Sequence, residues 1–376
     1  MYGRSFRRRY PGLRCGPGGS GILSEMENDA DPAAARARGS WNRLARGRRI
    51  LPPRDGISAA RLRAPGGAET HAAQRDPVPG SVREWLETSV IPRAVRSERA
   101  LAAIVPEFFV ADGELTDQHG RRVGLDDAVI PGGFYAFHKP VPPESRVPFE
   151  IGIVHEDADL LIVDKPHFLA STPNGVFQRE CVVTRLRVER GEDDIVAMHR
   201  LDRVTGGLLA LSRRPETRGA YQVLFQQKRI RKTYRALAWL PDAWHEGDPL
   251  PLGLESGEER DRHSRLQKID GERPVREVPG EPNAHTTIRL VGIRDRGGRV
   301  AGKFELAPHT GKTHQLRAHL NGLGMPIVGD PVYPRDTEPD PYDFSDPLQL
   351  LATTLEFDDP LTGSRRVFRT SMSLEQ

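Results

Sequence analysis

The segment from His199 to Leu209 reads HRLDRVTGGLL, and the rest of the chain can be interpreted from it. It sets one carboxylate, Asp202, between two arginines, directly before a Thr-Gly-Gly turn and an apolar run. A guanidinium close to a carboxyl group lowers its pKa by about 1–3 units and keeps it ionised at neutral pH. Such a carboxylate suits a nucleophile or base beside a phosphate-bearing substrate. A strand-end aspartate in an ordinary ion pair has the same local pattern, so this segment alone leaves both interpretations open.

Four further segments occur in order around this motif. Upstream lies DKP at 164–166, and downstream lie RIRKTYRA at 229–236, HTGKTHQLRAHL at 309–320 and GMPIVGDPVY at 324–333. With these motifs the chain, from Pro148 to Thr370, resembles the pseudouridine synthases of the RluA type, which are built around an H-R-L-D motif. Several ordered motifs are far more specific than any one of them.

Apolar and alternating segments predict an α+β region dominated by antiparallel sheet. A buried strand is predicted at 160–163, where an apolar run stops before a proline, and further strands at 207–211 and 234–239. Leucines of 313–323 share one helix face, and Gly324 suits the position after the helix end. The resemblance implies the same class: the pseudouridine synthase fold, with a mainly antiparallel, bisected β-sheet, flanking helices and a central catalytic cleft.

The resemblance implies an isomerase that converts uridine to pseudouridine in ribosomal or transfer RNA. This reaction breaks the N1–C1′ glycosidic bond, rotates the uracil and joins C5 to C1′. Because nothing is added or lost, no cofactor is expected. A carboxylate beside C1′ can stabilise or capture the positive charge that develops there. In the family this group is the motif aspartate, here Asp202, and attack at C1′ and proton removal from C2′ both remain open.

Three other residues match positions that the family uses around the target nucleotide. Tyr234 matches an active-site tyrosine whose ring can stack on the extruded uracil, although a core tyrosine on a strand has the same pattern. Arg317 matches the basic residue set against the catalytic aspartate, and a helix-face arginine bound to phosphate is the alternative. Arg200 matches an arginine that fills the space left by the flipped base. The resemblance therefore implies Asp202, Tyr234 and Arg317 as catalytic residues, with Arg200 in substrate binding.

Residues next to these positions receive smaller roles. Arg203 and Lys165 are predicted to contact phosphate, the latter from a strand end that borders the cleft. Thr205 is predicted to hold the turn after the motif aspartate through its hydroxyl, and Gly207 belongs to the same structural turn. Gly206 stands where this branch of the family usually has serine, which puts any side-chain hydrogen bond at that position in doubt.

Four histidines, at positions 199, 309, 314 and 319, raise the question of a metal site. No pair of them has the spacing H-x-x-x-H, and no cysteine supports them. His314 and His319 also fall on different faces of the predicted helix. We therefore expect no metal, and predict structural hydrogen bonds or RNA contacts for these side chains. His199, within the motif, is assigned to substrate binding.

Composition divides the chain into four parts. Residues 1–80 are rich in Arg, Gly and Pro, which predicts disorder, and they are either a basic RNA-binding arm or an upstream mis-assigned start. Residues 81–139 predict a small helical and β module, with Ser81 as an N-cap, that faintly resembles a degenerate αL-type RNA-binding domain. Residues 140–148 form a Pro-rich linker, and residues 149–376 form the catalytic domain.

Overall composition restricts the class of protein. Hydrophobic residues make up 37% of the 376, and the formal net charge is only +3, so RNA must be recognised through the distribution of charge. Two cysteines predict no disulfide framework. No run of about 18 apolar residues occurs, so no membrane span is expected. We expect a monomeric, cytoplasmic protein whose partner is RNA.

Two other function classes compete with the isomerase. A non-catalytic RNA-binding or ribosome-assembly factor could keep the same fold, but it would not need Asp202, Tyr234 and Arg317 together. A metal-dependent nucleic-acid hydrolase is disfavoured by the spacing of its candidate ligands. Activity that survives a chelator would exclude the hydrolase.

Overall fold

The computed structural model describes residues 49–66, 77–92, 105–175, 177–242 and 244–374. The chain divides into two compact units, Met1–Pro143 and Glu144–Gln376, and the boundary falls within the residues predicted as a Pro-rich linker. The disorder predicted for residues 1–48 lies outside the described part of the chain.

The described residues of the first unit form a three-stranded antiparallel sheet and two short helices. Its elements are β1 (Ala60–Arg63), α1 (Val82–Trp85, continued as a π-helix over Leu86–Val90), α2 (Pro106–Val110), β2 (Thr116–Asp117) and β3 (Phe134–Phe137), and β3 is the central strand. The Ser81 hydroxyl accepts a hydrogen bond from the backbone N–H of Glu84 at 3.2 Å, which confirms the predicted N-cap. Trp85 and Tyr135 pack in the core with ring centroids 4.9 Å apart.

Strand β1 shows that the disorder predicted up to residue 80 is wrong for Ala60–Arg63. All four of these residues pair with β3, and the next residue, Ala64, is 2% exposed within the core of the unit. Composition hid this strand because its residues, ARLR, lie in an Arg-rich segment with little apolar periodicity. A deletion of residues 1–80 would therefore remove a strand of the first unit.

The second unit is built around one 11-stranded sheet. In chain order its elements are β4 (Gly152–Glu156), β5 (Leu160–Lys165), α3 (Val182–Arg190), β6 (Val196–Ala197), β7 (Gly206–Ser212), α4 (Pro215–Gln226), β8 (Arg231–Trp239), a 3₁₀ turn (Pro251–Gly253), β9 (Glu259–Lys268), β10 (Val275–Val278), β11 (Ala284–Arg296), β12 (Arg299–Pro308), α5 (Gln315–Gly322), β13 (Leu350–Asp358) and β14 (Arg365–Arg369). The strand order is β10-β9-β11-β12-β8-β13-β7-β5-β4, with β14 beside β13 and β6 beside β7.

One parallel contact lies in the middle of this sheet. Strands β7 and β13 run parallel, with Gly206 opposite Leu351 and Gly207 opposite Ala352, whereas the other paired strands of the described sheet are antiparallel. The parallel pair joins an antiparallel half that contains β8 to one that contains β5. The predicted α+β class is therefore confirmed, as a mixed sheet in which antiparallel pairs dominate.

The core follows the apolar runs of the sequence. Every residue of β5 and β7 is buried, as expected for strands that are covered on both faces. On α5, Leu316 and Leu320 are buried, and Gly324 adopts a φ of 73° just after the helix, which confirms both the predicted face and the predicted end. No helix in the described part of the chain has the length and apolar character that a membrane crossing requires.

Candidate active site

Asp202 lies in the loop before β7, in a turn that is closed by hydrogen bonds. The backbone N–H of Thr205 donates to the carbonyl oxygen of Asp202 at 3.0 Å. The buried hydroxyl of Ser171 donates to the carbonyl oxygen of Leu201 at 2.8 Å and accepts from the N–H of Leu201 at 3.0 Å. The main chain, and not the predicted Thr205 hydroxyl, therefore closes the turn. Sequence reasoning missed the supporting role of Ser171.

The Asp202 carboxylate meets basic groups that are remote in the sequence. Arg317 donates from Nη1 to Oδ2 at 3.1 Å, and Nε2 of His314 lies 3.8 Å from the same oxygen. Burial by itself raises the pKa of Asp202, but His314, Arg317 and Lys165 outweigh it and hold the pKa below its usual value. Because 31% of its side chain is exposed, Asp202 is an ionised carboxylate that a substrate can reach.

Arg317 contacts two carboxylates with one guanidinium. Its Nε and Nη2 donate to the two oxygens of Asp330 at 2.7 Å each, which is a bidentate pair, and Nη1 is left for Asp202. The side chain of Arg317 is 2% exposed and that of Asp330 is 0% exposed. Burial acts to lower the pKa of Arg317, yet the two carboxylates raise it, so the charge is permanent. The expected pairing of Arg317 with Asp202 is present in this geometry.

Asp330 is the member of this group that sequence reasoning missed. Its Oδ1 also accepts from the backbone N–H groups of Val332 at 2.8 Å and Tyr333 at 3.1 Å. The only signal was an aspartate 13 residues after Arg317, in the GMPIVGDPVY segment. An aspartate between glycine and proline is also typical of an ordinary turn, so the signal did not point to an ion pair.

His314 lies beside Asp202 as a neutral group. It precedes α5 with a left-handed φ of 53°. Burial lowers its pKa to about 4 against the opposing charge of Asp202, so the imidazole is uncharged at pH 7. Its Nδ1 lies 3.4 Å from the hydroxyl of Tyr333, which donates to the carbonyl oxygen of Val275 at 2.8 Å. Sequence reasoning predicted structural hydrogen bonds or RNA contacts for His314 and missed its position beside Asp202.

Tyr234 lies on β8, between β12 and β13, in register with Leu306 and Ala352. It is 8% exposed. Burial, together with the charge of Asp202, raises the pKa of the phenol above its usual value, so the hydroxyl stays protonated. A protonated phenol within the electrostatic reach of Asp202 fits the position predicted for it, and its catalytic role stays a prediction.

Lys165 does not have the exposure that a phosphate contact requires. It is 0% exposed, and its ammonium donates to the carbonyl oxygens of Pro166 at 3.0 Å, Leu169 at 2.8 Å and Arg203 at 3.2 Å. These three bonds use all of its donors. Burial lowers the pKa of Lys165 to about 7, although Asp202 opposes the shift. The predicted phosphate contact is wrong, and Lys165 instead ties the Asp202 loop to the end of β5.

The two arginines that flank the carboxylate differ from each other. Arg200 is exposed, and its guanidinium has no partner among the described residues, so it is available to a ligand. Arg203 is partly buried and donates from Nη1 to the carbonyl oxygens of Phe168 at 3.1 Å and Pro341 at 3.0 Å. Neither arginine pairs with Asp202 in the described structure, contrary to the local pattern. The predicted phosphate contact of Arg203 stays a prediction.

His199 has a structural environment rather than the predicted substrate contact. Its Nε2 accepts the backbone N–H of Ala210 at 3.1 Å, and its ring stacks on Phe225 with centroids 5.1 Å apart. Burial lowers its pKa well below the usual value, so the ring is neutral. Nε2 of His199 is therefore not available for the predicted substrate contact, because it is already bonded within the protein.

A side chain at either of the two glycines after Thr205 would meet a different obstacle. Gly207 has a φ of 103°, and a β-carbon there would lie 2.2 Å from the carbonyl oxygen of Ala352, so the predicted structural glycine is confirmed. At Gly206 a β-carbon would lie 2.6 Å from Nε2 of His167. The imidazole of His167, held at 2.7 Å from the carbonyl oxygen of Val204, therefore fills the space that a side chain at 206 would need.

Metal-ligand atoms do converge elsewhere in the described part of the chain. Asp261, His285 and His309 offer one ligand atom each, and these atoms lie within 4.8 Å of one another. Sequence spacing missed the group because its members come from three separate segments and only His309 had been considered. Among the described residues, none of these three side chains is hydrogen-bonded to Asp202. The carboxylate of Asp202 instead faces Arg317 and His314.

Comparisons with known proteins agree with this geometry. A sequence model of a family described as RNA pseudouridylate synthase matches residues 159–322, a range that includes Asp202, Tyr234 and Arg317. The dual-specificity RNA pseudouridine synthase RluA of Vibrio parahaemolyticus is 34% identical over 212 residues, which cover 55% of this chain and 78% of that protein. An RNA pseudouridine synthase of Haemophilus influenzae is 33% identical over 213 residues, which cover 56% of this chain and 83% of the relative.

Solved structures are more distant. The human RNA pseudouridylate synthase domain containing 1 is 20% identical, with a TM-score of 0.46 and coverage of 59% of this chain and 84% of that chain. The human RNA pseudouridylate synthase domain containing 4 is 22% identical, with a TM-score of 0.42 and coverage of 59% and 88%.

Proposed function

The chain belongs to the RluA-type RNA pseudouridine synthases, and from this premise we propose that its Asp202 site isomerises uridines of ribosomal or transfer RNA. The enzyme is an isomerase. The observation that carries the assignment of the site is the Asp202 carboxylate, which is ionised, partly exposed and held by the buried Arg317 at 3.1 Å.

The reaction needs a carboxylate at the sugar and no added reagent. As the N1–C1′ bond breaks, its electron pair leaves with the uracil, and positive charge develops at C1′. Asp202 stabilises that charge either by bonding to C1′ or by taking a proton from C2′. The uracil then rotates and C5 bonds to C1′, while the bond from Asp202 to C1′ breaks or the proton that Asp202 took returns to C2′. C5 then loses its proton and N1 gains one, so the product is an isomer of the substrate. Arg317 orients the carboxylate and keeps it ionised before the reaction begins.

Two further residues are proposed to bind the extruded nucleotide. Tyr234 offers a mostly buried ring and a protonated hydroxyl, which suits a base stacked beside Asp202. Arg200 is exposed and unpaired within the described residues, so it can occupy the gap that the base leaves. An unpaired loop costs least to open, so we expect the target uridine to lie in single-stranded or weakly paired RNA.

The test is to map pseudouridines in ribosomal and transfer RNA from cells with and without the gene. We expect specific pseudouridines to disappear in the deletion and to return with the parent gene but not with Asp202→Asn. Asp295→Asn is the matched control, because Asp295 is an exposed residue near the end of β11, next to the turn that leads to β12. Restoration by both variants would mean that Asp202 is not the catalytic carboxylate. An unchanged map would refute ribosomal and transfer RNA as the substrates.

A further inference from the structure

Three histidines lie side by side on the face of the sheet opposite to α5. On β11, Thr286 is buried and bonds to His319 of α5, so the neighbouring His285 faces the other side. His263 of β9 is in register with His285, and the backbone N–H of His309, directly after β12, donates to the carbonyl oxygen of His285. Both neighbouring ring pairs stack with centroids 4.0 Å apart and nearly parallel planes. Strand register therefore forms a ladder of imidazoles.

A carboxylate and a hydroxyl complete the cluster. Asp261 of β9 lies opposite Thr287 of β11. Its Oδ1 is 2.9 Å from Nε2 of His285 and accepts the Thr287 hydroxyl at 2.6 Å. That hydroxyl oxygen lies 2.8 Å from Nε2 of His309. The ligand atoms of Asp261, His285 and His309 thus converge on one point of the surface, within 4.8 Å of one another.

This donor set suits a metal ion as well as the hydrogen bonds that now connect it. Two imidazoles and a carboxylate are typical ligands of Zn²⁺, with ligand distances near 2.0–2.1 Å, so the ligand atoms of a tetrahedral site are about 3.3 Å apart. The observed atoms lie within 4.8 Å of one another, so the stacked rings must tilt towards one point to reach that spacing, while the strands hold the backbones in place.

We propose that Asp261, His285 and His309 bind one divalent ion of the Zn²⁺ class, with His263 as a stacked neighbour. The ion has a structural role and takes no part in the isomerisation. It joins β9 and β11 to the start of the segment that leads from His309 to the active-site residues. That segment is already anchored nearby, because the backbone N–H of His285 donates to the Thr310 hydroxyl at 2.9 Å.

The experiment titrates Zn²⁺ into chelator-treated, tag-free, full-length protein by calorimetry and follows the melting temperature with and without Zn²⁺. We expect one ion per chain and a rise in melting temperature. Asp261→Asn and His285→Ala should weaken binding by more than about 10-fold, since loss of an outer partner alone costs about 10–100-fold. His245→Ala is the matched control, because His245 is an exposed histidine 3.6 Å from another surface carboxylate, Asp248.

Each outcome decides the proposal. Stoichiometric binding that both cluster variants lose and the control keeps supports it. Asp261→Asn changes only an exposed carboxylate to an amide of the same shape, so folding of that variant is not in question. Absence of stoichiometric binding, or equal binding by the parent and both cluster variants, overturns it. Turnover of the metal-free enzyme is expected to equal that of the loaded enzyme. The result is therefore independent of the proposed isomerase function.

Discussion

The loop of Asp202 and the loop of Asp330 both present a carboxylate to Arg317, but only one of the two carboxylates has bonding capacity left. Asp330 is fully buried and accepts two bonds from Arg317 and two from backbone N–H groups. Asp202 accepts one bond from Arg317 at 3.1 Å and is 31% exposed. The saturated carboxylate fixes the arginine, and the arginine orients the carboxylate that faces the substrate.

Asp330 therefore contributes mainly to stability, and Asp202 mainly to the reaction. A buried charge must be paired and hydrogen-bonded, so Asp330 and Arg317 depend on each other. Asp202 can lose its charge without leaving Arg317 unpaired, because Asp330 remains. We therefore expect variants at the two aspartates to differ in which property they damage most.

The largest expected effect is the loss of activity in Asp202→Asn. The amide keeps the shape of the side chain but cannot stabilise positive charge at C1′, so turnover should fall by at least about 100- to 1,000-fold, as when other charge-stabilising groups are removed. The free energy of unfolding should change by less than about 1 kcal/mol, because the Asp202 pair is partly exposed. Single-turnover assays and urea unfolding measure the two quantities. Turnover within tenfold of the parent would refute the assignment.

Arg317→Met should damage both properties. It leaves Asp330 as a buried, unpaired charge, which costs about 3–5 kcal/mol of stability. It also removes a group that holds the pKa of Asp202 down, so that pKa rises. Since activity needs the ionised form and is lost as pH falls through this pKa, the acidic limb of the residual activity should move to higher pH. An unchanged pH–rate profile would mean that Arg317 does not act on Asp202.

Asp330→Asn tests the role of the buried carboxylate whose hydrogen-bonding capacity is fully used. Arg317 loses its bidentate partner but keeps Asp202, so we expect a stability loss of about 3 kcal/mol. Turnover should fall by about 10- to 100-fold through a displaced guanidinium, less than in Asp202→Asn. The KM for RNA should stay near the parental value, because Asp330 does not reach the surface. A stability equal to that of Asp202→Asn would show that the two carboxylates are equivalent.

Much of the frame of this site was predictable, because it rests on local patterns. The apolar runs of β5 and β7, the alternation of β8 and the leucine face of α5 each predict the element that forms. Asp202 and Arg317 were paired through the family resemblance, since no local rule joins residues 115 positions apart.

The features of the site that were not predicted depend on burial and strand register, which the sequence does not show. Lys165 is a charged residue at the end of an apolar strand, and only its full burial shows that its ammonium binds carbonyl groups. His263, His285 and His309 are far apart in sequence, and only the pairing of β9, β11 and β12 brings their rings together. Asp330 was missed for the same reason.

The smallest expected effect concerns the turn that carries Asp202. Gly206→Ser places a β-carbon 2.6 Å from Nε2 of His167, so overpacking should cost about 1–3 kcal/mol. Because the obstacle is a side chain, the double variant with His167→Ala should regain part of the lost free energy of unfolding. The expected coupling energy is about 1 kcal/mol. Urea unfolding of the parent, both single variants and the double variant gives that value.

Gly207→Ala is the matched control for this double-mutant comparison of Gly206→Ser and His167→Ala. Its β-carbon would lie 2.2 Å from the carbonyl oxygen of Ala352, which is backbone, and its φ of 103° disfavours any side chain. We therefore expect Gly207→Ala to be destabilised whether or not His167 is replaced. Strictly additive losses for Gly206→Ser and His167→Ala would instead mean that the imidazole moves aside without cost. The family's usual serine would then fit this turn, and the geometry of the Asp202 loop would not depend on His167.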